Sequence, residues 1–553
     1  MTPTVAEVVG RTLADLGVRR VFGVVGSGNF AVTNALLAAG ADYVAARHEG
    51  GAATMADAWA RTSGEVGAVS LHQGCGLTNA LTGVTEAAKS RTPLVVLAAE
   101  TAAGARQANF RVDQPALAAA VGAVSLRVTG AATAAEEAAR AVATARAERR
   151  TVVLQLPLDV QAMPAAEDVA PAAHPVAPTP PSPAPEAVVA LARRLAEARR
   201  PVLVAGRGAR HAAAELRALA HATGALLATS AVAKGLFAAD PWSLDVAGGF
   251  STPLAAELLR SADLVVAFGC ALNGWTTRHG RLIGPGATIV QVDLDAAAIG
   301  THRRVDLAVI GDSRSTAAAV TLAVTAGPDR GREAADGYRS EAVAARLRAG
   351  RRWRDVDYDD WGGGGRIDPR TLTIALDDLL PAERVVAVDS GNFMGYPSMF
   401  LEVPDERGFC FTQAFQSVGL GLATAIGAAL AQPDRLPVAA VGDGGLLMGA
   451  SELDTVTRLG LPMVVVVYDD GGYGAEVHHF GDTADLRTVT FPPTDHAAIA
   501  RGYGYAAVTV RDVDDLAPVR TWLDGPRERP LLVDAKIAAP RGSWWLEEAF
   551  RGH

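Results

Sequence analysis

Cysteine is scarce in this chain of 553 residues: Cys75, Cys270 and Cys410 are the only three, scattered and odd in number. That excludes a disulfide framework and a Cys-x-x-Cys metal site, and it fits a reducing compartment, so a cytoplasmic protein is expected. Long apolar runs are missing too. No window reaches the roughly 18 residues of a membrane span, and Glu7, Arg11 and Asp15 interrupt the N-terminal stretch where a signal peptide needs an unbroken apolar core. A soluble, unexported protein is the expectation. Basic charge is in deficit, with 51 Lys and Arg against 60 Asp and Glu, a net charge of -9 and no long basic stripe. Neither nucleic acid nor a membrane surface is an expected partner. No tandem repeat with a period of roughly 20 to 50 residues is visible. What remains is 49% hydrophobic and 20% charged residues, the composition of packed domains, in a chain too long for a single core.

Two stretches punctuate the sequence: 164–185, crowded with Pro and Ala, and the polar, Arg-rich run 327–365 that ends in four glycines. Read as linkers, they leave segments 1–163, 186–326 and 366–540, plus a tail, 541–553, containing Trp544 and Trp545. Each segment alternates short Val/Ala/Leu runs with amphipathic helical stretches. That pattern predicts an α/β fold of three doubly wound parallel-sheet domains. Thr4 and Glu7 have the spacing of a capping box. Strands are predicted over 21–25, 43–46, 201–205, 264–268, 288–292, 385–388, 438–441 and 463–467. Most run into polar or glycine residues: Gly26-Ser27-Gly28-Asn29 after the first, Arg47-His48-Glu49 after the second and Gly206-Arg207-Gly208 after the third. Ligands bind at such strand ends in open α/β sheets.

The most informative segment is Gly442-Asp443-Gly444-Gly445, directly after one predicted strand, with Asp469-Asp470-Gly471-Gly472 after the next. Asp443 and Asp470 stand 27 positions apart, the length of a strand–helix–strand unit, so both carboxylates converge on one sheet edge. The glycines beside them admit an anion close to backbone N–H groups. Oxygen ligands around a cation that also holds a phosphate are a Mg²⁺ arrangement. Either motif alone reads as a turn; the pair at this spacing does not.

The same residues resemble the metal and diphosphate motif of thiamin-diphosphate (ThDP) enzymes of the acetolactate synthase, pyruvate decarboxylase and benzoylformate decarboxylase superfamily. The resemblance covers nearly the whole chain. Arg47-His48-Glu49-Gly50-Gly51-Ala52-Ala53 looks like the catalytic-glutamate segment, and Gly74-Cys75-Gly76 with Asn79 looks like the Gly-Pro-Gly loop. Pro157-Leu158-Asp159-Val160, Gly206-Arg207-Gly208-Ala209, Lys234-Gly235, Gln291-Val292-Asp293 and Glu452-Leu453-Asp454-Thr455 also fall where the family has counterparts.

The resemblance implies that the first domain binds the cofactor's aminopyrimidine, the third binds its diphosphate, the middle one is the central domain, and the cofactor lies between two subunits of a homodimer or homotetramer. Glu49 would share a proton with the pyrimidine ring so that the bent cofactor loses its C2 proton. Val418 matches the wedge that bends the cofactor, although it is smaller than the usual Ile, Leu or Met, and the Gln416 carbonyl would meet the 4′-amine. Gly391, Asn392, Gly444 and Gly445 would hold the diphosphate, and Asp443, Asp470 and the Gly472 carbonyl the Mg²⁺. Most relatives carry Asn at the position of Asp470, so this site has an extra negative charge: either it holds the metal more tightly or Asp470 is protonated.

For the substrate, His72 resembles an active-site histidine of benzoylformate decarboxylase, and Glu476 falls where pyruvate and indolepyruvate decarboxylases carry a catalytic Glu. Ser27, Arg111 and Gln114 are the candidate substrate contacts, with Arg111 suited to a substrate carboxylate. The stretch Phe110-Arg111-Val112-Asp113-Gln114 departs from the Phe-Gln-Glu of acetohydroxyacid synthases, and the central domain lacks the Arg-Phe-Asp-Asp-Arg stretch of FAD-containing relatives, so FAD is not expected. The implied activity is ThDP- and Mg²⁺-dependent cleavage or formation of the C–C bond beside the carbonyl of a 2-oxo acid, with an aldehyde or second oxo acid as acceptor in the carboligase case. A non-catalytic ThDP-fold subunit and a nucleotide-dependent oxidoreductase using Gly206-Arg207-Gly208 stand as alternatives.

Overall fold

A computed structural model describes residues 2–165, 179–326, 337–481 and 483–550. Three six-stranded sheets carry the architecture, and every strand pairing in them is parallel. The first contains β1 (Arg20–Gly23), β2 (Asp42–Ala45), β3 (Gly67–Leu71), β4 (Leu94–Glu100), β5 (Val124–Arg127) and β6 (Thr151–Pro157), in the order β2-β1-β3-β4-β6-β5. The second contains β7 (Pro201–Ala205), β8 (Leu226–Thr229), β9 (Ser243–Val246), β10 (Leu264–Phe268), β11 (Thr288–Asp293) and β12 (Leu307–Ile310), in the order β12-β11-β10-β7-β8-β9. The third contains β13 (Arg384–Val388), β14 (Phe409–Phe411), β15 (Leu436–Gly442), β16 (Val464–Asp469), β17 (Ala506–Val510) and β18 (Leu531–Lys536), in the order β14-β13-β15-β16-β18-β17. The first and third sheets therefore share one winding and the middle sheet has another.

Parallel strands need crossover helices, and helices on both faces leave the central strands with no wet side. Hence β16 reads Val-Val-Val-Val-Tyr-Asp and is buried at every residue. The Thr4–Glu7 capping box starts the first helix, Val5–Asp15, as its spacing predicts. Helix Glu49–Ser63 of the first domain lies against helix Gly421–Ala431 of the third, and one apolar core runs across both domains through Met55, Trp59, Leu422 and Ile426. Gly427 permits the close approach, because a Cβ there would run into the Met55 carbonyl and lie 3.0 Å from the Ala58 methyl.

Of the segments read as linkers, residues 166–178 and 327–336 lie outside the described residues, as do 551–553 of the tail. The remainder of 327–365 needs correcting. It contains the helix Glu341–Gly350 with Leu347 buried; Tyr338 donates its hydroxyl to the Leu258 carbonyl at 2.8 Å, and Trp353 donates its indole N–H to the Phe250 carbonyl at 2.6 Å. An Arg-rich composition concealed a segment that packs on the central domain through a few apolar residues. Among the described residues, no helix is long and apolar enough to cross a membrane.

Candidate active site

Four strand ends meet at one edge of the third sheet. The register sets Val388 of β13 against Phe411 of β14 and Ala440 of β15, and Gly442 of β15 against Tyr468 of β16. The loops that leave β13, β14, β15 and β16 carry Asp389 to Asn392, Gln416 to Val418, Asp443 to Gly445 and Asp470 to Gly472 respectively. The first crossover of this sheet leads from β13 outward to β14 and the next returns to β15 on the other side. The β13/β15 edge is thus the switch point where open α/β sheets bind ligands.

Both members of the acidic pair are raised above the usual carboxylate range. Asp443 is pushed up to about 7, first by burial and then by the charges of Asp470 and Asp469. Burial likewise pushes Asp470 up to about 6, against a hydrogen bond from the Asn392 amide at 3.3 Å. Glycines clear the space around them: a Cβ at Gly444 would lie 2.7 Å from the Tyr473 ring, and one at Gly474 would strike the Asp470 carboxylate. Gly391, at φ 142°, has a backbone only glycine adopts readily. Two carboxyls raised by burial, a carboxamide and bare backbone are a donor set with the chemistry to hold a divalent cation and a diphosphate.

Above this floor stands the 413–419 loop. Val418 is 39% exposed although apolar, and its Cγ1 would be 3.4 Å from a Cβ on Gly445, so it projects over the glycine floor. Gln416 is held at φ 60°, a conformation costing a non-glycine residue on the order of 1 kcal/mol or more. Asp389, which the sequence reading passes over, fixes one side of the loop by accepting from the amides of Gly419 at 3.0 Å and Leu420 at 3.2 Å. Burial raises its carboxyl to about 6 against those bonds. Its position directly after a buried strand and beside Ser390-Gly391 was the available signal. A second missed support is the C-terminal tail, where Ser543 donates to the Asn392 carbonyl and carboxamide oxygens and Trp545 donates to the same carbonyl at 3.0 Å.

In the first domain, Glu49 begins its helix and accepts from the Asn79 amide at 3.1 Å. The salt bridge that Arg47 makes is with Asp454, at 2.6 Å. The turn before Glu49 is built by the third domain: buried Glu452 accepts from the backbone amides of Arg47 at 3.1 Å and His48 at 3.0 Å. His72 lies 3.4 Å from the Ser27 hydroxyl through Nε2, and its Nδ1 is 3.1 Å from the Gln73 carbonyl. Its ring stands edge-on to Phe110 at 5.0 Å. Ser27, His72 and Phe110 therefore form one group. Arg111 is exposed on the adjoining loop, and Glu476 is half-buried in the first turn of helix Gly474–Phe480, just beyond Gly472.

Gln114 is turned into the domain. It is 1% exposed, accepts from the Gly74 amide at 2.8 Å and donates to the Ala99 carbonyl at 3.1 Å and to Gln155 at 2.8 Å. Every polar atom of its amide points inward, where it fixes the 74–76 loop.

The Gly206-Arg207-Gly208 run sits at the switch point of the middle sheet, between β7 and β10, but it is filled by protein. A Cβ on Gly208 would be 2.8 Å from the Gly269 Cα, and Arg207 and Arg210 turn toward the other domains, donating to the carbonyls of Ser90 at 2.6 Å and Glu406 at 2.6 Å. Burial, then the charge of Arg61, lowers Arg207 to about 10. The run is a domain junction, which removes the basis of the nucleotide reading.

Comparison with known proteins places the chain in one family. The thiamine pyrophosphate enzyme N-terminal TPP binding domain matches residues 3–120, the central domain of the same enzymes residues 188–320, and their C-terminal TPP binding domain residues 389–535. A sulfoacetaldehyde acetyltransferase of Castellaniella defragrans is 30% identical, over 94% of this chain and 90% of that protein. A probable 2-ketoarginine decarboxylase of Pseudomonas aeruginosa is 32% identical, over 93% and 91%. The acetolactate synthase isozyme 2 large subunit of Escherichia coli is 28% identical, over 98% and 97%.

Proposed function

The chain belongs to the thiamine pyrophosphate enzymes and is a ThDP-dependent lyase or transferase; from that premise we propose that it acts, with Mg²⁺, on the bond between the carboxyl and carbonyl carbons of a 2-oxo acid. The observation that carries this reading is the convergence of Asp443, Asp470, Asn392 and the Gly444-Gly445 floor at the β13/β15 switch point. Asp443, Asp470 and the Gly472 carbonyl would hold the metal, and Gly391, Asn392, Gly444 and Gly445 the diphosphate. When bound, the cofactor supplies a nucleophilic carbon and an electron sink for a carbonyl carbon. FAD is not part of this proposal.

The residues around the cofactor have separable duties. Val418 would support a bent conformation from below, and the Gln416 carbonyl would orient the 4′-amine. Glu49, fixed by Asn79 and by the Glu452-built turn, would exchange a proton with the pyrimidine ring. Two subunits would assemble each site, Glu49 of one facing the Asp443 loop of the other, so the active unit is a homodimer or homotetramer. His72, polarised between Ser27 and the Gln73 carbonyl, would transfer protons to the product, as would Glu476, while Arg111 is placed for a substrate carboxylate. The residues leave open whether an aldehyde is released or a second carbonyl compound captures the fragment. The deciding experiment incubates the protein with ThDP, Mg²⁺ and a panel of 2-oxo acids, with and without aldehydes, and follows carbon dioxide and products. Turnover of at least one 2-oxo acid that requires both additions is expected; none across the panel would overturn the reading.

A further inference from the structure

Gln416 occupies a strained backbone conformation between two buried carboxylates that come from different domains. Asp389 of the third domain takes the amides that follow it. The amides that precede it are taken by Glu86 of the first domain, which is fully buried and accepts from Phe415 N–H at 2.6 Å and Ala414 N–H at 3.2 Å. Strain at one residue persists only where the flanking segments are held from both sides. Glu86 supplies the hold that the third domain does not supply for itself.

Glu86 is itself held by one guanidinium and a hydroxyl. Its Oε1 accepts from Arg61 at 2.8 Å and Ser90 at 3.1 Å, and Arg61 also donates to the Phe411 carbonyl at 3.1 Å, at the root of the same loop. Arg61 is further paired with Asp57 at 2.6 Å. Burial pushes both carboxyls up, but Arg61 and the two loop amides outweigh it at Glu86, which falls below its usual range, while Asp57 stays above its own. Arg61 and the loop amides thus favour the charged form of Glu86, and charged acceptors make the stronger bonds to backbone N–H. Arg207 of the central domain closes the arrangement by donating to the Ser90 carbonyl at 2.6 Å. All three domains thus meet at the root of the loop that carries Gln416 and Val418.

We propose that Glu86, locked by Arg61, is a positioning residue that sets the Gln416–Val418 segment in its reactive geometry. The inference rests on the assignment of that segment to the cofactor. Glu86→Gln keeps the volume but loses the charge and one acceptor. In the metal- and cofactor-free protein, amide hydrogen exchange over 411–420 should accelerate at least tenfold. With ThDP at saturation, exchange of its C2 proton should slow about 10- to 100-fold, the order expected of a misplacement near 1 Å at a reacting centre.

Asp57→Asn is the control, since Asp57 touches Arg61 but no loop residue; it should lower the melting temperature and leave C2 exchange within about twofold. Equal slowing in both variants, or C2 exchange in Glu86→Gln within twofold of wild type, overturns the proposal. Should Glu86→Gln fail to fold, Ser90→Ala removes a single hydroxyl from the same carboxylate and should give a smaller slowing, with none overturning the proposal. If wild type itself neither binds ThDP nor exchanges C2, the cofactor assignment falls, whereas amide exchange over 411–420 still tests the hold of Glu86 on the loop.

Discussion

Replacing Asp470 by Asn separates what this carboxylate costs the empty protein from what it gives the loaded one. In the folded chain Asp470 is raised to about 6 and Asp443 to about 7, so both stay protonated where the unfolded chain, near 3.8, has released its protons. Stability of the metal-free protein therefore falls as pH rises from about 4 through 7. At 1.36 kcal/mol per pH unit, the cost at pH 8 is about 3 kcal/mol for Asp470 and about 4 for Asp443, and the two overlap because the Asp470 charge is part of what raises Asp443. Asp470→Asn removes the first cost and part of the second. The metal-free variant should thus melt several degrees above wild type at pH 8, at about 2 to 4 °C per kcal/mol for a domain of this size, with the gap closing toward pH 4.

Loading reverses the order. A cation offsets both charges, so wild type should bind Mg²⁺ and ThDP more tightly, and its affinity should fall steeply as pH drops below 7 because two carboxylates must release protons. Asp470→Asn should show a slope nearer one proton and keep activity. Thermal melts and cofactor titrations from pH 5 to about 8, with and without Mg²⁺, measure both halves. Indistinguishable metal and pH dependence in the two proteins would refute the placement of Asp470 beside the cation.

Three shorter predictions address other parts of the site. Glu49→Gln should retain folding and most cofactor affinity while C2 proton exchange slows by about 10² to 10⁴, the range of a lost general acid–base group; NMR exchange measurements check it. Gly445→Ala should abolish cofactor binding in calorimetry with little loss of secondary structure, because its Cβ would collide with the Asp389 carboxylate and meet Val418 at 3.4 Å. Specific activity should fall on dilution in step with dissociation seen by ultracentrifugation, as the proposed sharing of each site between two subunits requires; a monomer fully active at all dilutions contradicts that assembly.

Much of the fold is legible because buried parallel strands leave a local trace. The Val/Ala/Leu runs predict β7 and β10 to the residue, and β13, β15 and β16 differ from their predicted ranges only at the ends. Asp443 and Asp470 are legible for the same reason: a strand–helix–strand unit has a standard length, so spacing in sequence becomes neighbourhood in space. Winding is not written this way. The first and third sheets share an order that no visible repeat announces, since side chains at equivalent positions need only be apolar, not alike.

What escaped the sequence is what depends on distant partners or on which way a side chain turns. Gln114 lies in a stretch compared with substrate selectors, yet its amide faces Gly74 and Gln155 inside the domain. Glu86 meets Phe415 across 329 residues of chain and looks, in sequence, like any helical glutamate. Asp389 is missed because it acts through backbone amides, which every residue possesses and no motif marks, and Ser543 because its partner Asn392 lies 151 residues away. The carboxylates assigned to metal and cofactor stand beside glycines, since bound groups need room, and glycine patterns are readable. The carboxylates that shape the loops are buried against amides and arginines instead. Their signature is an acidic residue inside a buried stretch of helix, Glu86 within Gly83–Ala87 of the helix Cys75–Lys89 and Asp57 within Ala52–Ala60 of the helix Glu49–Ser63. A buried charge must be paired or hydrogen-bonded, so each such residue implies a partner that the sequence does not name. Here the partner of Glu86 is the loop that carries Gln416 and Val418.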